Sequence, residues 1–154
     1  MAEEKRPDFL LVDATDAILG RLGSKIAKLL LLGERVVIIN AEKAVITGDP
    51  YWIIEKYSEK FDIHTRTNPR RGPFHYRRPD LFVKRMIRGM LPYKQPRGRK
   101  AYKRLRVYVG VPPEFRKLKP IRFEETLITN RKKSKWIYIG DLLKRLGWKG
   151  IIRY

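Results

Sequence analysis

The chain has 154 residues, with 36 Lys or Arg against 16 Asp or Glu, and carries a net charge of +20 at pH 7. A hydrophobic content of 43% at this length predicts one folded domain with a real core, and the absence of cysteine excludes disulfides, thiolate metal sites and cysteine nucleophiles. Because uncompensated positive charge opposes compaction, the composition predicts a globular protein that works beside a polyanion.

The first 62 residues are nearly neutral, with 9 basic and 11 acidic residues, and they predict strand, helix and strand in that order. An apolar run at 9–13 precedes a stretch in which apolar residues recur at helical spacing from 18 to 30, with Gly33 placed to end the helix. The β-branched run at 35–40 is typical of a strand buried on both faces. Together these elements predict a parallel βαβ unit with a right-handed crossover.

Two glycines near the start of the first helix, Gly20 and Gly23, raise the question of a dinucleotide-binding turn. Their spacing is not G-x-G-x-x-G, they lie inside the helical pattern, and the chain has no P-loop lysine motif. Close packing of the helix against the sheet or a partner is the better interpretation, and we predict no cofactor.

A second helix is predicted to begin at Pro50, with Asp49 as its N-cap, because a capping acid followed by proline is typical of a helix start. Trp52, Ile53 and Tyr57 would form one face of this helix.

The segment 64–106, called the basic segment below, holds 15 Lys or Arg and a single acid, Asp80. Its loop at 65–79 places five arginines around Phe74 and His75. Arginine offers forked donors to phosphate, and aromatic rings stack on unpaired bases. Because the cations are interleaved with rings and prolines rather than set opposite one broad apolar face, they favour a nucleic acid over a membrane. The alternative is a solvated basic surface loop.

Regular structure is predicted to resume at Pro79, which together with Asp80 is typical of a helix start, and Gly89 marks the end of that helix. A short helix around 101–105 with a cationic polar face would follow, and then a third strand at 107–110.

The candidate nucleic-acid-binding side chains all lie in the basic segment. They are Arg66, Arg70, Arg71, Phe74, His75, Arg77, Arg78, Lys84, Arg85, Arg88, Lys94, Arg97, Arg99, Lys100, Lys103 and Arg104. Two smaller basic clusters, at 116–120 and 131–135, and a terminal amphipathic helix at 139–146 come after this segment.

No catalytic or metal site is predicted. His64 and His75, the two histidines, lie in a cationic loop without a carboxylate pair, so neither a H-E-x-x-H helix nor a catalytic triad can be assembled. Asp13, Asp16 and Asp49 stand at strand ends and helix starts, where capping accounts for them. We predict that the chain is not an enzyme and has no small-molecule substrate.

Two other functions stay open at this point. A DNA-compacting chromatin protein would carry its basic surface along one element that tracks a groove. An enzyme acting on a phosphate substrate through the βαβ unit would need a nucleophile, a base or a phosphate loop. A membrane partner is not expected, because the first eight residues are polar and the longest apolar run, at 29–32, is too short to span a bilayer. We therefore expect a cytoplasmic protein.

Four ordered motifs carry a family resemblance. They are LVDATDAILGRLGSKIAKLL from residue 11, VVIINAEKAVITG from residue 36, GMLP from residue 89 and RLRVYVGVPPEF from residue 104. With these motifs the chain resembles the large-subunit ribosomal protein of the thirteenth L family over about residues 11–115. GPFHYRRP at 72–79 and the tail from residue 136 resemble the archaeal and eukaryotic branch of that family.

The resemblance implies a structural constituent of the large ribosomal subunit that binds large-subunit ribosomal RNA and adjoins neighbouring ribosomal proteins. It implies an α/β fold, a three-layer α/β/α single domain over 1–154 around a mostly parallel four-stranded sheet. The core would cover about 9–115, and a C-terminal extension about 116–154. Residues 77–79, 89–92 and 97–100 match family motifs and would line the RNA face.

Overall fold

The computed structural model of the protein describes residues 8–130 and 134–150. In chain order its strands and helices are β1 (Leu10–Asp13), α1 (Leu19–Leu32), β2 (Val36–Ile39), β3 (Val45–Thr47), α2 (Pro50–Asp62), α3 (Pro79–Gly89), α4 (Pro96–Lys103), β4 (Leu105–Val107), β5 (Trp136–Tyr138) and α5 (Ile139–Arg145). Five helices and a mostly parallel sheet confirm the predicted α/β class. No helix in the described ranges is long and apolar enough to cross a membrane.

The main sheet is parallel and has the strand order β1, β2, β4. Leu10 pairs with Val36, and Val36 pairs with Leu105, so the amino ends of the three strands lie at one edge. α1 connects β1 to β2 as the predicted βαβ unit, and Gly33 ends the helix with a positive φ of 106°. All four residues of β2 are buried, as predicted for a strand covered on both faces.

The predicted fourth strand is not found in this sheet among the described residues. At the outer side of β1, a single parallel bridge joins Val12 to Ile121. The N–H of Ile121 donates to the carbonyl of Leu11 over 2.7 Å. The carbonyl of Ile121 in turn accepts from the N–H of Asp13 over 3.1 Å, and no further pairing with the outer side of β1 occurs among the described residues.

The two faces of the sheet are covered differently. Side chains from all five helices pack on the face that presents Val36 and Ile38, where the larger core lies. The opposite face presents Leu11 and Val37 and is covered by Phe115, which belongs to a 3₁₀ turn. The predicted third helical layer is therefore not confirmed, because a short irregular segment covers this face.

A second, antiparallel pair of strands was not predicted. β3 pairs with β5, with Val45 opposite Tyr138. Each strand has three residues, too few for a period-2 pattern to be visible in the sequence. The predicted terminal helix is confirmed as α5, whose residues Ile139 and Leu143 are fully buried in the larger core.

Several predicted elements need correction. α2 begins at Pro50 with Asp49 as its N-cap, as predicted, but Trp52 is 68% exposed and does not face the core. The short cationic helix, α4, begins at Pro96, because proline is favoured at the first helical position. β4 ends at Val107, where the predicted strand was to begin.

The predicted division at about residue 115 into a core and a C-terminal extension stays a prediction. Of the basic cluster at 131–135, residues 131–133 lie outside the described ranges, as do residues 151–154 of the tail.

Asp13 does not cap a helix. Its carboxylate is 5% exposed, and one oxygen accepts from the backbone and hydroxyl of Thr15 and from the Asn40 amide over 2.7–3.0 Å. The other oxygen accepts from two guanidinium nitrogens of Arg122 at 2.6 and 2.9 Å. Burial alone would raise the pKa of Asp13, but hydrogen bonds from Asn40, Thr15 and Arg122 together hold it below its usual value. Asp16 likewise does not cap α1 and accepts a hydrogen bond from the Tyr138 hydroxyl.

Two glycines allow a helix to lie close to a neighbouring part of the chain. A Cβ on Gly98 in α4 would overlap the carbonyl carbon and oxygen of Pro92 and lie 3.0 Å from the Tyr93 nitrogen. A Cβ on Gly23 would lie 2.9 Å from the Met90 sulfur and 3.6 Å from Ile87, so the close contact of this glycine is with the end of α3 and not, as predicted, with the sheet or a partner. Gly20, by contrast, faces open space.

Replacing Asp13 by asparagine is expected to lower the free energy of unfolding by about 1–3 kcal/mol at neutral pH, because the Arg122 fork loses its carboxylate. The depressed pKa makes this stabilisation complete above the unfolded-state pKa of about 3.9 and progressively lost as pH falls through the folded-state value. Urea unfolding of both proteins between pH 7 and pH 2.5 measures the difference. The matched control is Asp8→Asn at an exposed ion pair, which should stay within about 0.5 kcal/mol of wild type. If D13N were less stable than wild type by the same free energy of unfolding at every pH in this range, the stabilising role of the ionised Asp13 carboxylate would be contradicted.

Replacing Gly98 by alanine is expected to destabilise the protein by about 1–3 kcal/mol, because the new methyl group must displace backbone rather than a flexible side chain. Gly89→Ala is the control, since a Cβ at this position meets nothing within 4 Å. This substitution also replaces a helical glycine, so it should not lower the stability. Thermal unfolding followed by circular dichroism compares the two variants. Equal melting temperatures would show that the close contact between Gly98 and Pro92 tolerates a side chain.

Candidate nucleic-acid interface

α3 separates an apolar inner face from a cationic outer face. Phe82, Val83 and Ile87 are buried, whereas Arg85 is exposed. Pro79 occupies the first turn of the helix, where a backbone N–H would have no intrahelical acceptor, so the lack of an N–H in proline costs no hydrogen bond. The separation follows from helical spacing, since residues three and four apart share a face.

At the start of α3, Arg78 is engaged by the one acid of the basic segment. Its guanidinium donates to both carboxylate oxygens of Asp80 at 2.9 and 3.2 Å. Asp80 also lies in the first helical turn, where negative charge complements the helix dipole. The pair holds Arg78 in place and partly neutralises it.

Two tyrosines hold the inner cations of this surface. The Arg88 guanidinium lies over the Tyr93 ring at 3.9 Å from its centroid, and the Lys84 ammonium lies 5.2 Å from that of Tyr102. The two rings meet edge to face at 5.4 Å. We call these four residues the cation–aromatic cluster. A ring fixes the position of a cation without cancelling its charge.

The cation–aromatic cluster keeps its positive charge. Burial raises the pKa of Tyr102, and the nearby charge of Arg88 only partly opposes this rise. The Tyr102 hydroxyl therefore stays neutral at physiological pH.

α4 presents four exposed cations and no acid to solvent. They are Arg97, Arg99, Lys100 and Lys103. Gly98 and Ala101 form its buried side. The Arg99 guanidinium donates to the Lys94 carbonyl over 3.0 Å, which ties the helix to the preceding turn without neutralising the charge.

The loop before α3 is shaped by local contacts. The Asn68 side chain accepts from the N–H of Arg70 over 3.2 Å and begins a 3₁₀ turn. The His75 ring stacks on Phe61 of α2 with centroids 5.2 Å apart and an angle of 17° between the planes. Phe74, next to it, is 66% exposed. Phe74 is thus available to an unpaired base, whereas one face of His75 is already covered.

Twelve of the predicted side chains are exposed: Arg66, Arg70, Arg71, Phe74, Arg77, Arg78, Arg85, Lys94, Arg97, Arg99, Lys100 and Lys103. The other four, His75, Lys84, Arg88 and Arg104, are half-buried. Arg104 donates to the carbonyl of Leu30 over 3.3 Å and so provides a hydrogen bond to one of the carbonyls in the last turn of α1. This hydrogen bond gives Arg104 a structural partner that its charge did not indicate.

Tyr93 and Tyr102 were not among the side chains predicted for the interface. Their signal was weak, because Tyr93 lies beyond the end of α3 rather than on the same helix as Arg88, and Tyr102 is 18 residues from Lys84. In the described part of the chain, no group of three or more His, Asp or Glu could hold a metal ion.

Comparison with known proteins gives one consistent result. The family model described as Ribosomal protein L13 matches residues 7–114. Among the relatives, large ribosomal subunit protein uL13 of Archaeoglobus fulgidus is 48% identical over 145 residues, covering 94% of this chain and 91% of the relative. The same-named protein of Methanocaldococcus jannaschii is 47% identical over 140 residues, covering 90% and 98%. That of Methanopyrus kandleri is 42% identical over 144 residues, covering 92% and 89%.

These relatives are archaeal, which confirms the resemblance to the archaeal and eukaryotic branch. A family match over most of the chain, together with relatives aligned over nearly their full lengths, settles the assignment. The chain belongs to the ribosomal protein L13 family.

Proposed function

We propose that the protein is a structural constituent of the large ribosomal subunit and binds large-subunit ribosomal RNA through α3, α4 and the loop before α3. The observation that carries this proposal is the joint cationic surface of α3 and α4, from which no acid except Asp80 projects. The relatives support it, because they are named as large ribosomal subunit proteins. The cytoplasmic ribosome is the corresponding location, and neighbouring ribosomal proteins are further partners.

Membership of a ribosomal protein family confirms that the chain is not an enzyme. Its contribution is therefore one of binding and positioning. The body would act as a clamp, in which exposed guanidinium and ammonium groups neutralise phosphates and allow RNA helices to approach one another. We also propose that 1–154 acts as one domain, with the C-terminal part completing its core.

The cation–aromatic cluster supports a preorganised interface. Lys84 and Arg88 are held by the Tyr102 and Tyr93 rings before any ligand arrives. Fixing long side chains in advance lowers the entropy cost of binding. Arg85 and Arg97 are exposed and have no ion pair within the described residues, so their charges are available for phosphate.

Phosphate contacts orient a protein on RNA, and sequence or shape is recognised at unpaired bases. Phe74 is the exposed ring among the candidate side chains and takes this second role in our proposal. A chromatin protein remains the rival, but the cations lie on two helices and a loop rather than along one groove-tracking element.

The test of this function is the distribution of the native protein across a sucrose gradient of cell lysate. We expect it to co-migrate with the large subunit and to stay there through a moderate salt wash. A peripheral binder with six to ten phosphate contacts would lose about 10³–10⁵ in affinity between 50 and 200 mM salt. Recovery at the top of the gradient, or with DNA, would overturn the proposal and favour the chromatin alternative.

Removing two free cations should weaken RNA binding without unfolding the protein. For Arg85→Ala combined with Arg97→Ala, we expect log K for deproteinised large-subunit RNA to fall less steeply with log salt, by about 0.7–0.9 for each phosphate that the variant no longer neutralises. Filter binding at several salt concentrations measures the slope, and circular dichroism monitors the fold. The matched control replaces Lys28 and Lys56, exposed cations on α1 and α2, by alanine. An equal weakening in the control would show that binding follows net charge rather than this surface.

A further inference from the structure

A second cationic site adjoins the end of α4 at Lys103 but lies mostly outside the α3 and α4 surface. At the amino-terminal edge of the parallel sheet, a pocket of about 540 Å³ is lined by Phe9, Arg35, Val37, Lys103, Arg106 and Phe115, with Arg104 and Glu114 also at its wall. We call it the sheet-edge pocket. Its size falls within the range of about 300–1,000 Å³ typical of small-ligand sites.

The position of Arg106 in the sheet is unusual for a structural residue. On the face opposite the helices, Leu11 of β1 and Val37 of β2 lie side by side, and Arg106 of β4 is next in the same row. Leu11 and Val37 are buried there, whereas Arg106 is exposed. A cation therefore stands where the row of apolar side chains would continue.

Aromatic groups form the inner wall of the sheet-edge pocket. Phe115 is 8% exposed and meets half-buried Phe9 edge to face, with ring centroids 5.6 Å apart. Val37, 5% exposed, extends this apolar wall. A flat, apolar ligand group can contact these side chains, and this contact removes its surface from water.

The cations around the pocket are available to an anion. Within residues 8–130 and 134–150, neither Lys103 nor Arg106 makes an ion pair or side-chain hydrogen bond. Arg35 pairs with Asp8, but that carboxylate is 92% exposed, so the pair is weakly held. Protection of an exposed sheet edge would account for Arg106 alone and not for three cations around one apolar wall.

We propose that the sheet-edge pocket binds one unpaired RNA nucleotide, with its base against Phe9 and Val37 and its phosphate on Lys103 and Arg106. The combination of an aromatic wall and free cations fits the two chemically different halves of a nucleotide. Lys103 also belongs to α4, so an RNA strand held by that helix can continue into the pocket. Glu114 can accept a hydrogen bond from an exocyclic amino group of the base. This inference rests on the proposed RNA binding, shares Lys103 with the α4 surface, and otherwise uses side chains outside that surface, namely Phe9, Val37 and Arg106.

The test is titration of the full-length, ¹⁵N-labelled protein with single-stranded RNA pentanucleotides of one base each, at low salt. Backbone amide shifts should concentrate at Phe9, Arg35, Val37, Arg106 and Phe115. Phe9→Ala should weaken binding about tenfold with an unchanged salt slope, because it removes stacking rather than charge. Arg106→Ala should weaken binding and also make the salt slope shallower by about one unit or less. Lys117→Ala, at an exposed cation outside the pocket, is the matched control.

The outcomes separate this proposal from the proposed function. Pocket shifts that persist in the Arg85→Ala, Arg97→Ala protein support an independent nucleotide site. If shifts are confined to the α3 and α4 surface, or if Lys117→Ala weakens binding as much as Arg106→Ala, the pocket proposal is overturned while ribosomal RNA binding stands. A stronger response of the pocket to an acidic peptide containing phenylalanine would assign it to a protein partner instead. Failure of ribosomal co-migration, with pocket shifts retained, would overturn the proposed function alone.

Discussion

The buried carboxylate of Asp13 joins three parts of the chain that are distant in sequence. It stands at the end of β1 and binds the side chain of Asn40, just after β2, and the guanidinium of Arg122. Burying a carboxylate is costly unless its oxygens are hydrogen-bonded, and here two oxygens accept five hydrogen bonds. The carboxyl ends of β1 and β2 are therefore correctly set only when the later part of the chain has docked.

The cationic surface depends on a related device, in which side chains are fixed without being neutralised. Arg88 lies on an aromatic ring, and Arg99 and Arg104 donate to backbone carbonyls. An acid in each of these places would also hold the side chain but would neutralise its charge. The fold thus tolerates a segment with fifteen cations because apolar inner faces bury its helices while rings and carbonyls position its charges.

Local signals account for the parts of the fold that the sequence predicted well. Gly33 ends α1 and Asp49 caps α2, because each acts within one turn of its own helix. The features that were not predicted depend on contacts between distant parts of the chain. β3 and β5 are defined by their pairing with each other, which neither sequence shows alone. No periodicity shows that Phe115, rather than a helix, covers the second face of the sheet.

The candidate site divides in the same way. Composition alone located the basic segment and most of its exposed cations. Composition could not show that Tyr93 and Tyr102 hold two of them, that Arg104 bonds to α1, or that His75 stacks against α2.

The pairing of β3 with β5 also bears on the order in which the protein is made. Val45 is synthesised early, but its partner Tyr138 emerges only after most of the chain, and at roughly 5–20 residues per second this interval lasts several seconds. Ile139 and Leu143, which complete the larger core, arrive with it. A product that stops short of β5 therefore has an unpaired strand and an open core beside an intact polycation. Such a fragment keeps its cationic charge, yet it lacks the closed body that fixes the relative positions of those cations.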